Sequence, residues 1–162
     1  MAKRRAEGSR PARRRVVRKA PDLLLSTRYI ESSALVAALL EGDAAARASI
    51  RAAGKRVTSA LTLAEAARAI LRARATGRLS AADERAATRG LQVFARRCAL
   101  VGVTDAVLAR VGRPFPLEPI RTLDAVHLAT AEALDEPPAL VTIVTRDARV
   151  RDNARALGYA VE

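Results

Sequence analysis

The chain has no tryptophan, two phenylalanines, two tyrosines, one cysteine and one histidine among 162 residues. Each shortage removes a class of explanation. Phe94, Phe115, Tyr29 and Tyr159 are the whole aromatic supply, little material for the stacking platforms that single-strand binders use. A lone Cys98 excludes an internal disulfide framework and a thiolate metal cluster, and it is compatible with a reducing cytoplasm. No apolar run approaches the roughly 20 residues needed to span a bilayer. The N-terminus is basic, but Leu23-Leu24-Leu25 is too short for a signal-peptide core. The expectation is a soluble, cytoplasmic protein with no membrane partner.

What is present is aliphatic and basic. Half of the residues are hydrophobic, chiefly Ala, Leu and Val, so the core must be aliphatic, and the length suits one domain with a tail. The net charge of +12 is unevenly placed. Residues 1–20 hold nine Lys/Arg against one acid, Glu7; the other 142 hold 20 basic against 16 acidic. A basic segment of this kind is a candidate nucleic-acid contact through counterion release. The plainer alternatives are a solvated tail or a start codon set too far upstream. The expected organisation is a disordered basic tail over 1–21 and a folded domain over 22–162.

Along the folded part, strand-like runs alternate with helical ones. A first strand ends at Tyr29 to Glu31, and a helix follows from Ser33 to Glu41, closed by Gly42. Asp43 caps a second helix to about Ala53. Arg56 to Ser59 reads as a short buried strand. Leu63, Ala66, Ala67, Ile70 and Leu71 give the stripe of an amphipathic helix over Thr62 to Thr76. Ser80 opens the next helix, to about Arg97. Ala99 to Val103 is a strand, and Thr104 to Val111 a helix. Prolines at 114, 116 and 119 forbid helix there and make the longest loop. A helix over Thr122 to Leu134, a β-rich run over Leu140 to Thr145, a helix over Ala148 to Leu157 and a last strand at Tyr159 to Val161 complete the pattern. The alternation predicts an α/β domain with a mainly parallel sheet. Ligands of such sheets collect beyond the carboxyl ends of the strands.

Four acids stand where helices begin: Glu31, Glu65, Asp124 and Asp147. Singly, each has a structural explanation. Thr62-Leu63-Ala64-Glu65 fits a capping box, Asp147 fits an N-cap, and Asp124 and Glu31 favour a helix dipole. Together they say more, because Glu31 and Asp147 end the first and fourth β runs and Glu65 follows the second by one turn. Carboxylates gathered at one sheet edge repel unless a cation sits among them. Mg²⁺ or Mn²⁺ takes oxygen ligands and can activate water against a phosphodiester. His127 lies three residues after Asp124 and shares its helix face, either as a packed helix residue or as a support to the acids.

Three stretches resemble the PIN-domain family, most closely its VapC-type toxins of bacterial toxin–antitoxin pairs. They are Tyr29-Ile30-Glu31-Ser32-Ser33-Ala34-Leu35-Val36, Thr122-Leu123-Asp124-Ala125-Val126-His127-Leu128-Ala129-Thr130-Ala131, and Val144-Thr145-Arg146-Asp147 with Ala154-Arg155-Ala156-Leu157-Gly158. The resemblance covers about residues 28–162. It implies a three-layer α/β/α sandwich and an endoribonuclease dependent on Mg²⁺ or Mn²⁺. It also implies an RNA substrate, a cognate antitoxin and a homodimer. By the same resemblance Glu31 and Asp124 hold the metal, Glu65 and Asp147 complete the acidic site as further candidate ligands, and Ser33, Thr145 and His127 support it. The first motif departs from the usual pattern: Glu31 stands where Asp is common and reaches about one methylene further. The alternative expectation is a catalytically weak or inactive PIN-fold module that binds nucleic acid.

Overall fold

The structure is a computed structural model that describes residues 26–162. The basic segment 1–21 and the boundary expected at residue 22 lie outside the described residues. Among the described residues, five strands form one all-parallel sheet: β1 (Thr27–Ile30), β2 (Lys55–Ser59), β3 (Ala99–Val101), β4 (Val141–Val144) and β5 (Ala160–Val161). Their spatial order is β3-β2-β1-β4-β5. Helices α1 (Ser32–Leu40), α2 (Ala44–Arg51), α3 (Ala60–Ala75), α4 (Ala81–Ala95), α5 (Asp105–Val111), α6 (Thr122–Glu132) and α7 (Ala148–Ala156) connect them.

Alternation along the strands makes two cores, because successive side chains leave opposite faces of a sheet. Tyr29, Val57 and Ile143, partners in register, face one side with Val107 of α5, Leu128 of α6 and Val150 of α7. Ile30 and Val144 face the other, with Leu35 of α1, Ala66 of α3 and Phe94 of α4. The expected three-layer α/β/α sandwich is therefore the observed one. The chain runs outward from β1 to β3, then returns to place β4 on the other side of β1. That reversal opens a crevice at the carboxyl ends of β1 and β4.

Local chemistry sets the element boundaries. Asp43 accepts from the Ala46 N–H at 2.8 Å, and Ser80 accepts from Asp83 at 3.1 Å, as N-caps should. Gly54 turns the chain into β2 with φ of +135°, and a Cβ there would sit 2.4 Å from the Ser26 carbonyl oxygen. The expected capping box at Thr62 is absent. Ser59 is the N-cap instead, because β2 passes into α3 with no intervening loop. The Thr62 hydroxyl points at the Ile30 carbonyl at 3.5 Å, beside Thr58 at 2.7 Å. The expected stripe on α3 also shifts: Ala66, Ile70 and Ala73 are buried, whereas Leu71 is exposed.

The proline-bearing loop is gripped rather than loose. Asn153 of α7, itself buried, accepts from the Leu117 N–H at 2.9 Å and donates to the Leu117 carbonyl at 3.0 Å. Glu118 accepts from Phe115 at 3.0 Å and Ile120 at 2.8 Å, and the Arg110 guanidinium lies 3.9 Å from the Phe115 ring centroid. The loop thus delivers α6 to the crevice in a fixed place. No described helix is long and apolar enough to cross a membrane.

Candidate metal centre

Strand ends and helix starts place the acids. Glu31 directly follows β1, the central strand, and is the N-cap of α1. Its carboxylate is almost wholly buried and densely satisfied. Oε1 accepts from the Ser32 hydroxyl at 2.6 Å, both oxygens accept from the Ser33 N–H at 3.0 Å, and Oε2 accepts from Thr145 at 2.8 Å and from the Ser33 hydroxyl. The extra methylene of Glu lets the carboxylate fold back over the first turn of its own helix.

Asp147 caps α7, its Oδ1 accepting from Arg149 at 2.7 Å and Val150 at 3.2 Å. Its backbone N–H donates to Ser33 Oγ and to Thr145 Oγ1, each at 3.0 Å. Ser33 and Thr145 therefore tie the end of β1 to the start of α7. Arg146 is otherwise engaged. Its Nε donates to Asp43 at 2.7 Å, so this guanidinium is committed to the α2 cap. That contact, with the Ala46 N–H, holds the Asp43 carboxyl below its ordinary range.

Glu65 lies in the second turn of α3 and reaches toward α6. Its Oε2 is 2.7 Å from Nε2 of His127, which is 3.7 Å from Oε1 of Glu31. One ligand atom from each of Glu31, Glu65 and His127 can be chosen so that all three lie within 4.8 Å of one another. Burial disfavours the Glu65 carboxylate, but the hydrogen bond and charge of His127 outweigh it, aided by Ser32, and the net shift is downward. His127 is both packed and engaged, since its Nδ1 lies 3.1 Å from the Tyr29 hydroxyl inside the core.

Asp124 sits in the first turn of α6. Burial, then the charges of Asp147 and Glu31, push its carboxyl above its ordinary value, against the opposing pull of Arg121 and His127. Its Oδ2 is shut away from solvent with no hydrogen-bond partner among the described residues. A buried anionic oxygen left unpaired is costly. Unlike Glu31, Asp124 has acceptor capacity to spare. The acids thus meet through Glu31, which lies with Glu65 about His127 and acts with Asp147 on Asp124. The donor set is oxygen-rich and acidic, which fits a hard divalent cation.

The residues that sequence inspection did not single out are Ser32 and Tyr29. Both lie in the first motif, Tyr29 in the end of the expected strand and Ser32 just before the helix expected from Ser33. Cys98 is half-buried against the α1–α4 core, and burial pushes its thiol up to about 11.

The PIN domain family matches residues 28–156 of the chain. Among relatives, the chain is 39% identical over 136 residues to a protein named Ribonuclease VapC46 from Mycobacterium tuberculosis, covering 82% of this chain and 94% of that one. It is 33% identical over 141 residues to one named Ribonuclease VapC35 from the same organism, with 82% and 93% covered. The fold is also similar to two solved structures. One is VapBC2 from Rickettsia felis bound to a DNA fragment from their promoter, at TM-score 0.58, 15% identity and coverage of 84% and 97%. The other is VapBC-1 from nontypeable Haemophilus influenzae, at TM-score 0.52, 13% identity and coverage of 84% and 96%. With a parallel sheet in this order, acids gathered at its carboxyl edge and relatives of this likeness, the chain belongs to the PIN-domain family, in its VapC group.

Proposed function

We propose that the protein is a metal-dependent endoribonuclease, the toxin of a type II toxin–antitoxin pair, that hydrolyses RNA phosphodiesters. The observation that carries this is the unpaired, buried Oδ2 of Asp124 beside the charges of Asp147 and Glu31. Such an arrangement suits a cation far better than it suits helix capping alone. Asp124 and Glu31 are the proposed ligands, with Glu65 and Asp147 completing the acidic pocket. Ser33 and Thr145 hold Glu31 and the Asp147 backbone in place. When bound, Mg²⁺ or Mn²⁺ would neutralise the acids, activate water and stabilise charge on the phosphodiester. Arg121, at the N-cap of α6, is the nearest candidate for holding the RNA backbone.

The proposed organisation is a basic segment over 1–21 ahead of a nuclease domain over 22–162, acting in the cytoplasm as a homodimer. Exposed Leu100 on edge strand β3 and Leu108 on α5 offer apolar surface for a second copy. A cognate antitoxin is the other proposed partner, in keeping with the VapBC assemblies to which the fold is similar. A groove of about 890 Å³ between α1, α2 and α4 supports this. Leu35, Leu39 and Phe94 line it, and Arg47, Arg51 and Arg89 line it against a single acid, Asp83. An acidic segment with an apolar face would suit it.

One observation favours a second reading. The Glu31 carboxylate is already satisfied by protein donors, as a cap would be, and a catalytically weak PIN-fold module that binds nucleic acid would need no more of it. The separating experiment incubates the full chain with structured RNA, with and without Mg²⁺ or Mn²⁺, beside Asp124→Asn. The expected result is metal-dependent cleavage that Asp124→Asn abolishes. Equal cleavage by the variant overturns the site assignment. Salt-sensitive RNA binding without cleavage by either protein selects the second reading.

A further inference from the structure

His127 is the single histidine of the chain, it is 2% exposed, and both ring nitrogens have partners. Nδ1 lies 3.1 Å from the Tyr29 hydroxyl, and Nε2 lies 2.7 Å from Glu65 Oε2. Tyr29 is fully buried on the central strand, and burial with the charge of Glu31 pushes its phenol far above the usual range. The phenol therefore keeps its proton and can donate it. The Glu65 carboxylate lies at hydrogen-bond distance as an acceptor. The 2.7 Å contact calls for Nε2–H against the Glu65 carboxylate, and the 3.1 Å contact sets the Tyr29 hydroxyl against Nδ1.

The reverse tautomer would turn the Nε2 lone pair onto a carboxylate at hydrogen-bond distance. In the favoured arrangement Nε2 has no lone pair to offer a metal ion. Glu65 also needs a restraint, because it sits near the buried carboxylate of Glu31 and its side chain is 24% exposed. Like charges this close would drive a flexible Glu toward solvent. Its observed place is held by a donor on a rigid helix, itself fixed by a strand residue.

We propose that the Tyr29–His127 pair is a positioning device for Glu65: a core-anchored imidazole whose Nε2–H holds the Glu65 carboxylate against Glu31 without itself ligating metal. The proposal rests on the metal-centre reading above and adds a function for a residue that reading leaves as support. Hydrogen-bond partners of metal ligands typically tune affinity by about 10–100-fold.

The test begins without metal. In the untagged full-length protein the single imidazole can be read without ambiguity by nitrogen NMR. The expected signature is a protonated Nε2, with the Nδ1 resonance shifted in Tyr29→Phe. An Nε2 that carries no proton overturns the proposal whether or not the protein is a nuclease. Mn²⁺ affinity by calorimetry is the second arm. His127→Gln, whose amide can stand in for Nε2–H, should stay within about threefold of wild type, while His127→Leu should lose about 10–100-fold. His127→Leu combined with Glu65→Gln should lose no more than Glu65→Gln alone. Equal loss in His127→Gln and His127→Leu, or additive losses in the double variant, overturns the proposal. So does nitrogen hyperfine coupling to bound Mn²⁺, which would make His127 a ligand. If His127→Leu does not fold, His127→Gln and Tyr29→Phe still decide. Wild-type protein that binds no divalent ion defeats the metal-centre reading, and the tautomer then judges the pair.

Discussion

Thr145 Oγ1 donates to Glu31 Oε2 across 2.8 Å, joining the residue after β4 to the residue after β1. The two strands are register partners up to Ile30 and Val144, so this bond continues the sheet by side chains where the backbone ladder stops. Thr145→Val keeps the shape and removes the hydroxyl. Glu31 is 3% exposed and would lose a donor that water cannot readily replace. The variant should be less stable by about 1–3 kcal/mol in urea unfolding with EDTA present. A change below about 0.5 kcal/mol would show that Ser32 and Ser33 satisfy the carboxylate alone.

Asp124 predicts an unusual pH response. Its folded carboxyl lies above its ordinary value, so the folded state binds its proton more tightly than the unfolded chain does. That contribution is fully present below the ordinary Asp value near pH 3.9 and is lost as pH rises through the raised value. In EDTA, the stability of wild type minus that of Asp124→Asn should fall across this window and then level off. Saturating Mn²⁺ should reverse the fall, because a ligand of the folded state stabilises it. A difference that does not change with pH would contradict the account of Asp124 as raised by burial and by the charges of Asp147 and Glu31.

Two glycines with positive φ should respond differently to alanine. Gly77 has φ of +74° and open space where an added Cβ would sit, so Gly77→Ala carries only the left-handed cost of about 1–2 kcal/mol. Gly54 has φ of +135°, and its added Cβ would meet the Ser26 carbonyl oxygen at 2.4 Å. Gly54→Ala adds a backbone collision to strain of about 1–3 kcal/mol and should exceed the Gly77 effect clearly. Comparable thermal midpoints for the two variants would mean that the turn before β2 yields easily.

Local signals carried well from sequence to structure. The helix closed by Gly42, the caps at Asp43, Ser80 and Asp147, and the proline-bearing loop are where short-range chemistry puts them. The failures were tertiary. Thr62 has the sequence context of a cap, but its hydroxyl meets a carbonyl of β1, 32 residues away. Leu71 fits a helical stripe, yet it turns off the face on which Ala66, Ile70 and Ala73 are buried. His127 was legible as a neighbour of Asp124, but its partners Glu65 and Tyr29 are 62 and 98 residues distant, and no local pattern encodes that.

The loop that Asn153 grips has one more consequence. It divides the acids two and two, with Glu31 and Glu65 before it and Asp124 and Asp147 after it. A chain severed there yields two fragments that each hold half of the charge and none of the whole cluster. Reunion must bring together the very anions that repel. The loop is therefore a seam across which the proposed metal site would divide into two incomplete halves.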